Sequence, residues 1–272
     1  MTPSPIVRGP SSGARNVSVV LEYDGTGFHG FQFQPGLRTV QGELEKALRR
    51  ITGEEVRVIG AGRTDAGVHA VGQVANFRTT SELPAPRLVR ALNGVLPQDV
   101  AVRSARDVPP EFHARFSARA RAYRYSIWNA ETPTALRRHY TYHWRGHLDV
   151  EAMRRAARLV VGTHDFASFA GGADESGEGR ERTTLRTVYR AECRREGDLV
   201  EIDVEANAFL PHMVRNLVGT LLWVGSGRTD EEGFAAILAA RDRSLAGPAV
   251  PARGLCLVEV YYEPSGLGIG RQ

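Results

Sequence analysis

Residues 16–24 (NVSVVLEYD) alternate apolar and polar positions, the period of a half-buried strand. In 39–52 the apolar Val40, Leu44, Leu48 and Ile51 recur at helical spacing instead. The runs 56–60 (VRVIG) and 71–77 (VGQVANF) read as strands flanking a glycine-containing loop. Pro86 opens a helix carrying Leu88, Leu92 and Leu96, Pro97 ends it, and 100–108 is a further strand. The order β-α-β-β-α-β is that of a ferredoxin-like split unit.

A second pass of the same order follows. Residues 120–128 predict a strand, and 149–162 predict a helix with Met153, Ala156, Ala157 and Val160 on one face. The segments 187–195 and 200–209 read as an antiparallel pair turned at Glu196-Gly197-Asp198, followed by a helix over 210–226 and a strand over 255–263. The expected class is therefore α+β. Two ferredoxin-like βαββαβ units with mainly antiparallel sheets lie side by side and form a central cleft. The units are expected at 16–112 and 113–265, with tails at 1–15 and 266–272. Only the order of elements repeats, not the residues. Two stretches fall outside it: a Gly-rich charged segment, 171–183, expected to be a mobile loop, and an extra helix over 230–243 that runs into the Pro-rich GPAVPARG.

Composition narrows the function classes. With 42% hydrophobic and 24% charged residues the chain reads as a soluble globular protein, and no run approaches the length of a membrane span. Its first residues read as a floppy tail with no apolar core of signal-peptide length. Cys193 and Cys256 are its two cysteines, in no Cys-x-x-Cys pair, which suits a reducing cytoplasm and gives a thiolate metal site nothing to work with. The histidines show no metal-ligand spacing, so no metal is assigned. The net charge is +4, and Lys46 is the sole lysine among the basic residues. A GC-rich genome would produce that bias, and so would recognition of RNA phosphates by guanidinium groups.

The densest chemistry lies in GAGRTDAGVHAVGQ, residues 60–73. Gly60, Gly62, Gly67 and Gly72 allow a sharp turn at the end of a strand, from which Arg63, Asp65 and His69 project. Arginine nearby favours the ionised carboxylate, fit for nucleophilic or general-base work. Bare spacing by itself favours an Asx-turn that caps a hairpin. In the strand 118–128, alternation places Arg119, Arg121, Tyr123 and Tyr125 on one face, which suits either base stacking with phosphate contact or plain core packing. In the helix over 210–226, Arg215 borders a broad apolar stripe, with Pro211 and Gly219 leaving space around its stem.

RTDAGVHA is far more specific than a lone Asp-Gly turn, and it resembles the active-site motif of the tRNA pseudouridine synthase A family. The resemblance spans nearly the whole chain. YDGTGFHGFQFQP (23–35), ALNGVLPQDVAV (91–102), EFHARFSARARAYRY (111–125), DFASFA (165–170), NAFLPHMVRNLVGTLL (207–222) and PARGLCLVEVYY (251–262) are similar to family segments, in order. Phe31 stands where the family commonly has Trp, and the 171–183 segment is longer and more acidic than usual.

The resemblance implies an RNA-binding cleft and isomerisation of uridine to pseudouridine at tRNA positions 38, 39 and 40 of the anticodon stem-loop. Asp65 would be the nucleophile, Tyr123 would stack on the target base, and Arg215 would pair with Asp65. Arg63 would contact substrate where the target base flips out, with Arg119, Arg121 and His69 as further RNA contacts; His69 and His113 equally suit packing within their motifs. The reaction breaks N1–C1′ and joins C5 to C1′ with no net redox or phosphoryl change, so no cofactor is expected. A cytoplasmic homodimer is implied. Competing readings are a non-catalytic RNA-binding or RNA-chaperone protein on the same scaffold, and a glycoside hydrolase, which would need a second carboxylate about 5–10 Å from Asp65.

Overall fold

The computed structural model describes residues 13–171 and 183–262. The expected tails lie almost wholly outside the described residues, as does nearly all of the expected 171–183 loop.

The first half builds β1 (Arg15–Tyr23), α1 (Val40–Thr52), β2 (Ile59–Gly60), β3 (His69–Thr79), α2 (Ala85–Asn93) and β4 (Val100–Val108). The second builds β5 (Ala120–Asn129), β6 (Tyr142–Trp144), α3 (Val150–Arg158), β7 (Gly162–Asp165), β8 (Leu185–Glu196), β9 (Leu199–Ala206), α4 (Met213–Gly225), α5 (Glu231–Ala240) and β10 (Leu255–Tyr261). Local chemistry sets several helix starts. The side chains of Thr39, Asp149 and Asp230 accept hydrogen bonds from backbone N–H groups in the first turns of α1, α3 and α5. Gly53 ends α1 in a left-handed conformation, φ 73°.

The strands form one mixed, mostly antiparallel sheet in the order β4-β1-β3-β10-β5-β9-β8-β7, with β2 on β3 and β6 on β5. Read in halves, β4-β1-β3-β2 and β10-β5-β9-β8 each repeat the strand order of a ferredoxin-like unit. The halves meet where β10 pairs with β3 in parallel at His69 and Ala70. β2 bonds the far end of β3 at Ala75 and Asn76, and its two-residue length leaves the near end open for β10. The loop 61–68, which carries Asp65, therefore emerges at the seam between the units.

The predicted helical faces face inward: Leu44 and Leu48 of α1, Leu88 and Leu92 of α2, Met153 and Ala156 of α3 are all buried. Helix α4 is buried on nearly every side. Gly219 does not open space for Arg215, as its spacing had suggested; it admits the Pro-rich connector. A Cβ at Gly219 would lie 1.9 Å from the Pro248 carbonyl oxygen. The connector is further held by Gly247 N–H donating to Thr220 Oγ1 (2.9 Å) and Val250 N–H donating to the Arg215 carbonyl (3.3 Å). β6 and β7, three and four residues long, had no visible pattern because so few positions cannot display a period of two.

Gly219→Ala should push the connector off α4 and lower unfolding stability by about 3 kcal/mol, the upper end for overpacking. Urea denaturation checks this, and unchanged stability would mean that the connector is not seated on the helix.

Candidate active site

The loop 61–68 is pinned along its length. Ala61 N–H donates to the Val74 carbonyl at 2.7 Å, Phe31 N–H to the Thr64 carbonyl at 3.0 Å, and Gly67 N–H to the Phe28 carbonyl at 3.3 Å. Fully buried Gln73 clamps Gly62 from both sides: its Oε1 accepts from Gly62 N–H and its Nε2 donates to the Gly62 carbonyl. The Thr64 hydroxyl bonds Tyr23 Oη at 2.7 Å. Of the four glycines expected to turn this segment, Gly67 alone takes a positive φ, 78°. Gly60 and Gly72 are instead places of close approach, by the Phe31 ring and the Val258 carbonyl. A loop held at so many backbone points fixes the direction of Asp65.

Asp65 Oδ2 lies 3.3 Å from Arg215 Nη1, the carboxylate from one unit and the guanidinium from the other. Arg215 is itself aimed: its Nε donates to the Val250 carbonyl at 2.8 Å, so the connector holds the stem while the fork faces Asp65. The arginine side chain is 17% exposed and the aspartate 36%, so the pair sits at the edge of solvent. His212 Nε2 approaches the same oxygen at 3.4 Å. Pattern reading missed His212 because its backbone, at φ 56°, is left-handed just ahead of α4, a conformation no spacing reveals. Its ring rests against Gly171, where a Cβ would come within 2.6 Å. Asp65 thus faces the positive N-terminal end of α4 as well as Arg215.

Asp65 and His212 line a cleft of about 530 Å³ formed mainly by the 61–68 loop, β5, the 115–116 turn and residues 208–214. Tyr123 reaches it from β5, nearly buried, with its ring edge-on to Phe209 at 5.0 Å. Burial holds its phenol well above the ordinary tyrosine range, so it offers a neutral aromatic surface. Arg63 lies at the cleft, exposed.

The rest of the expected face of β5 divides. Arg121 lines the cleft but is 9% exposed, donating to the carbonyls of Ala61, Arg115 and Asn207. Burial depresses its basicity, and its fork ties the Asp65 loop to the opposite wall rather than standing free for RNA. Tyr125 is fully buried beneath the turn at 252–254 and donates to the Pro251 carbonyl at 2.7 Å. Arg119 precedes β5, exposed, and is not among the residues lining the cleft. His69 is also away from it: Nδ1 accepts from Gly25 N–H at 3.0 Å and Nε2 faces the His139 and Arg253 carbonyls. Those partners fix a buried ring that braces the start of β3. Arg115 and Arg186 reach the cleft without having been anticipated, so among the described residues its lining carries four arginines and a single carboxylate, Asp65.

A family model described as tRNA pseudouridine synthase matches residues 19–117 and 156–263. The chain belongs to that family. Among its curated relatives, a protein of Acetivibrio thermocellus named tRNA pseudouridine synthase A is 45% identical over 91% of this chain and 100% of its own length. One from Roseiflexus castenholzii with the same name is 50% identical over 93% of this chain and 92% of its own. A third, from Geobacillus kaustophilus, is 47% identical over 92% and 95%.

His212 offers a direct check on the site's backbone. His212→Gly should be about 1 kcal/mol more stable than His212→Ala, since both lose the ring but only glycine takes a left-handed φ without a Cβ penalty. Chemical denaturation of the two variants measures this, and equal stabilities would contradict the left-handed assignment.

Proposed function

We propose that the chain isomerises uridine to pseudouridine in tRNA, at positions 38, 39 and 40 of the anticodon stem-loop. The observation that carries the reading is Asp65, among the described residues the one carboxylate lining a cleft with four arginines, held 3.3 Å from Arg215 in a chain that belongs to the tRNA pseudouridine synthase family. The arginines suit the phosphates of an RNA strand. Tyr123 supplies a neutral face on which the target uracil stacks, and Phe209 stands against it.

The chemistry asks little of a cofactor. N1–C1′ breaks, the detached uracil turns, C5 joins C1′, and the C5 proton is exchanged for one on nitrogen. Asp65 serves as the anion that starts this, either at the sugar or at one of its protons. The contacts of Arg215 and His212 both fall on Oδ2, so we assign Oδ1 as the oxygen that meets substrate. The pinned walls retain the free base between bond breaking and bond making. A glycoside hydrolase would need a second carboxylate, and among the described lining residues there is none. The reading extends to a homodimer acting in the cytoplasm, on the strength of family resemblance. Among the described residues no helix is long and apolar enough to cross a membrane.

Purified protein should form pseudouridine in a tRNA transcript with no added cofactor and with EDTA present. Asp65→Asn should abolish that activity while tRNA affinity stays within roughly tenfold, because phosphate contacts are spread over several arginines. RNA binding without turnover by the wild type would favour the non-catalytic RNA-binding reading. Full turnover by Asp65→Asn would remove Asp65 from the chemistry.

A further inference from the structure

Large aromatic side chains seldom stand in water at the mouth of a polar cleft without a reason. Phe116 does: it is 71% exposed and belongs to the lining of the cleft that holds Asp65. A mobile phenylalanine there would be unremarkable, but this one is braced. The His113 ring stacks on it with centroids 4.3 Å apart and planes at 30°. His113 Nδ1 accepts from the backbone N–H groups of Arg115 (3.2 Å) and Phe116 (3.3 Å), which requires a lone pair on that nitrogen. Partial burial lowers the basicity of His113, in keeping with a neutral ring that accepts there.

The turn is anchored at its other positions too. His113 N–H donates to Ser117 Oγ, and Ser117 N–H donates back to the His113 carbonyl. Ala114 N–H donates to Asn76 Oδ1 at 2.8 Å, and Tyr262 Oη donates to the Ala114 carbonyl at 2.8 Å. The Arg115 carbonyl accepts from Arg121, the same guanidinium that ties down Ala61 beside the Asp65 loop. Phe116 is thus rigidly coupled to the site while its ring remains in solvent.

We propose that Phe116 is a stacking platform for a nucleobase of the RNA substrate next to the target uridine, with Arg115 beside it for the adjoining phosphate. The inference rests on the function proposed above and names a base-binding subsite within it. The target base itself belongs deeper, at Tyr123, which is nearly buried while Phe116 stands at the rim. Charge selects the occupant. Among the described lining residues, four arginines against one carboxylate favour a polyanion over an apolar peptide or a second copy of this basic chain. The Arg115 guanidinium carbon lies 5.5 Å from the Phe116 ring centroid, so charge and aromatic face are presented together.

The test combines protein and RNA changes. Phe116→Ala and Phe116→Trp are compared with wild type for binding and single-turnover pseudouridine formation on an anticodon stem-loop RNA. The same measurements are made on RNAs with an abasic residue at each nucleotide flanking the target, one at a time. Phe116→Ala should weaken binding by roughly five- to hundredfold, the range for loss of one base–aromatic stack. Phe116→Trp should restore it, with tryptophan fluorescence quenched on RNA binding relative to the wild type and its three native tryptophans. At one flanking position the abasic RNA should erase the difference between wild type and Phe116→Ala. An unchanged dissociation constant for Phe116→Ala on intact RNA would overturn the proposal, as would an equal penalty on every abasic RNA. If the wild type binds but forms no pseudouridine, the functional reading fails, and the binding arm still decides whether Phe116 stacks on a base.

Discussion

Asp65 and Arg215 face one another across the seam of two folding units, 150 residues apart in the chain. Neither residue is placed by its own neighbours alone. Asp65 depends on β3, Gln73 and the 28–31 segment, whereas Arg215 depends on α4 and the connector carbonyl of Val250. The pairing of β10 with β3 brings the two supports together, because β10 follows the connector and pairs at the residues immediately after the Asp65 loop. A carboxylate and a guanidinium at the edge of solvent attract each other only modestly, so the geometry must come from the scaffold rather than from the pair. The many backbone anchors around each partner supply it.

Arg121 solves a related problem in the opposite way. It is more deeply buried than Arg215, and its hydrogen bonds go to carbonyl oxygens from three separate segments. A buried guanidinium satisfied by neutral acceptors keeps its positive charge beside the cleft while bracing three walls at once. The cleft is therefore rigid and electropositive for the same reason. Such a site fits an anionic strand whose base must be detached, turned and rejoined without escaping.

The regular core was legible in the sequence because period carries it: Leu44 and Leu48, Leu88 and Leu92, and Met153 and Ala156 all face inward as their spacing requires. Asp65 stood out through its dense glycine-rich motif, whereas the role of Arg215 came from the family resemblance, since its place beside an apolar stripe by itself fits an exposed or snorkelling arginine. What escaped was set by contacts distant in the chain. Alternation correctly put Arg121 and Tyr123 on one face, but it could not show that the turn at 252–254 would cover Tyr125 or that Arg119 would stay outside. His212 depends on a left-handed backbone, and His69 on carbonyls from residues 139 and 253. Arg115, Phe116 and Arg186 become cleft residues only when segments from both units converge.

The central claim is that the scaffold sets Asp65 and Arg215, one from each unit, as a coupled pair across the seam. A double-mutant cycle in unfolding stability with Asp65→Asn and Arg215→Met measures it most directly. Exposed pairs couple by at most about 1 kcal/mol, and breaking a buried pair costs about 3–5 kcal/mol. The partly buried pair should couple by about 1–3 kcal/mol, with Arg215→Met less harmful once Asp65 is already neutral. Effects that add to within about 0.5 kcal/mol would contradict the account.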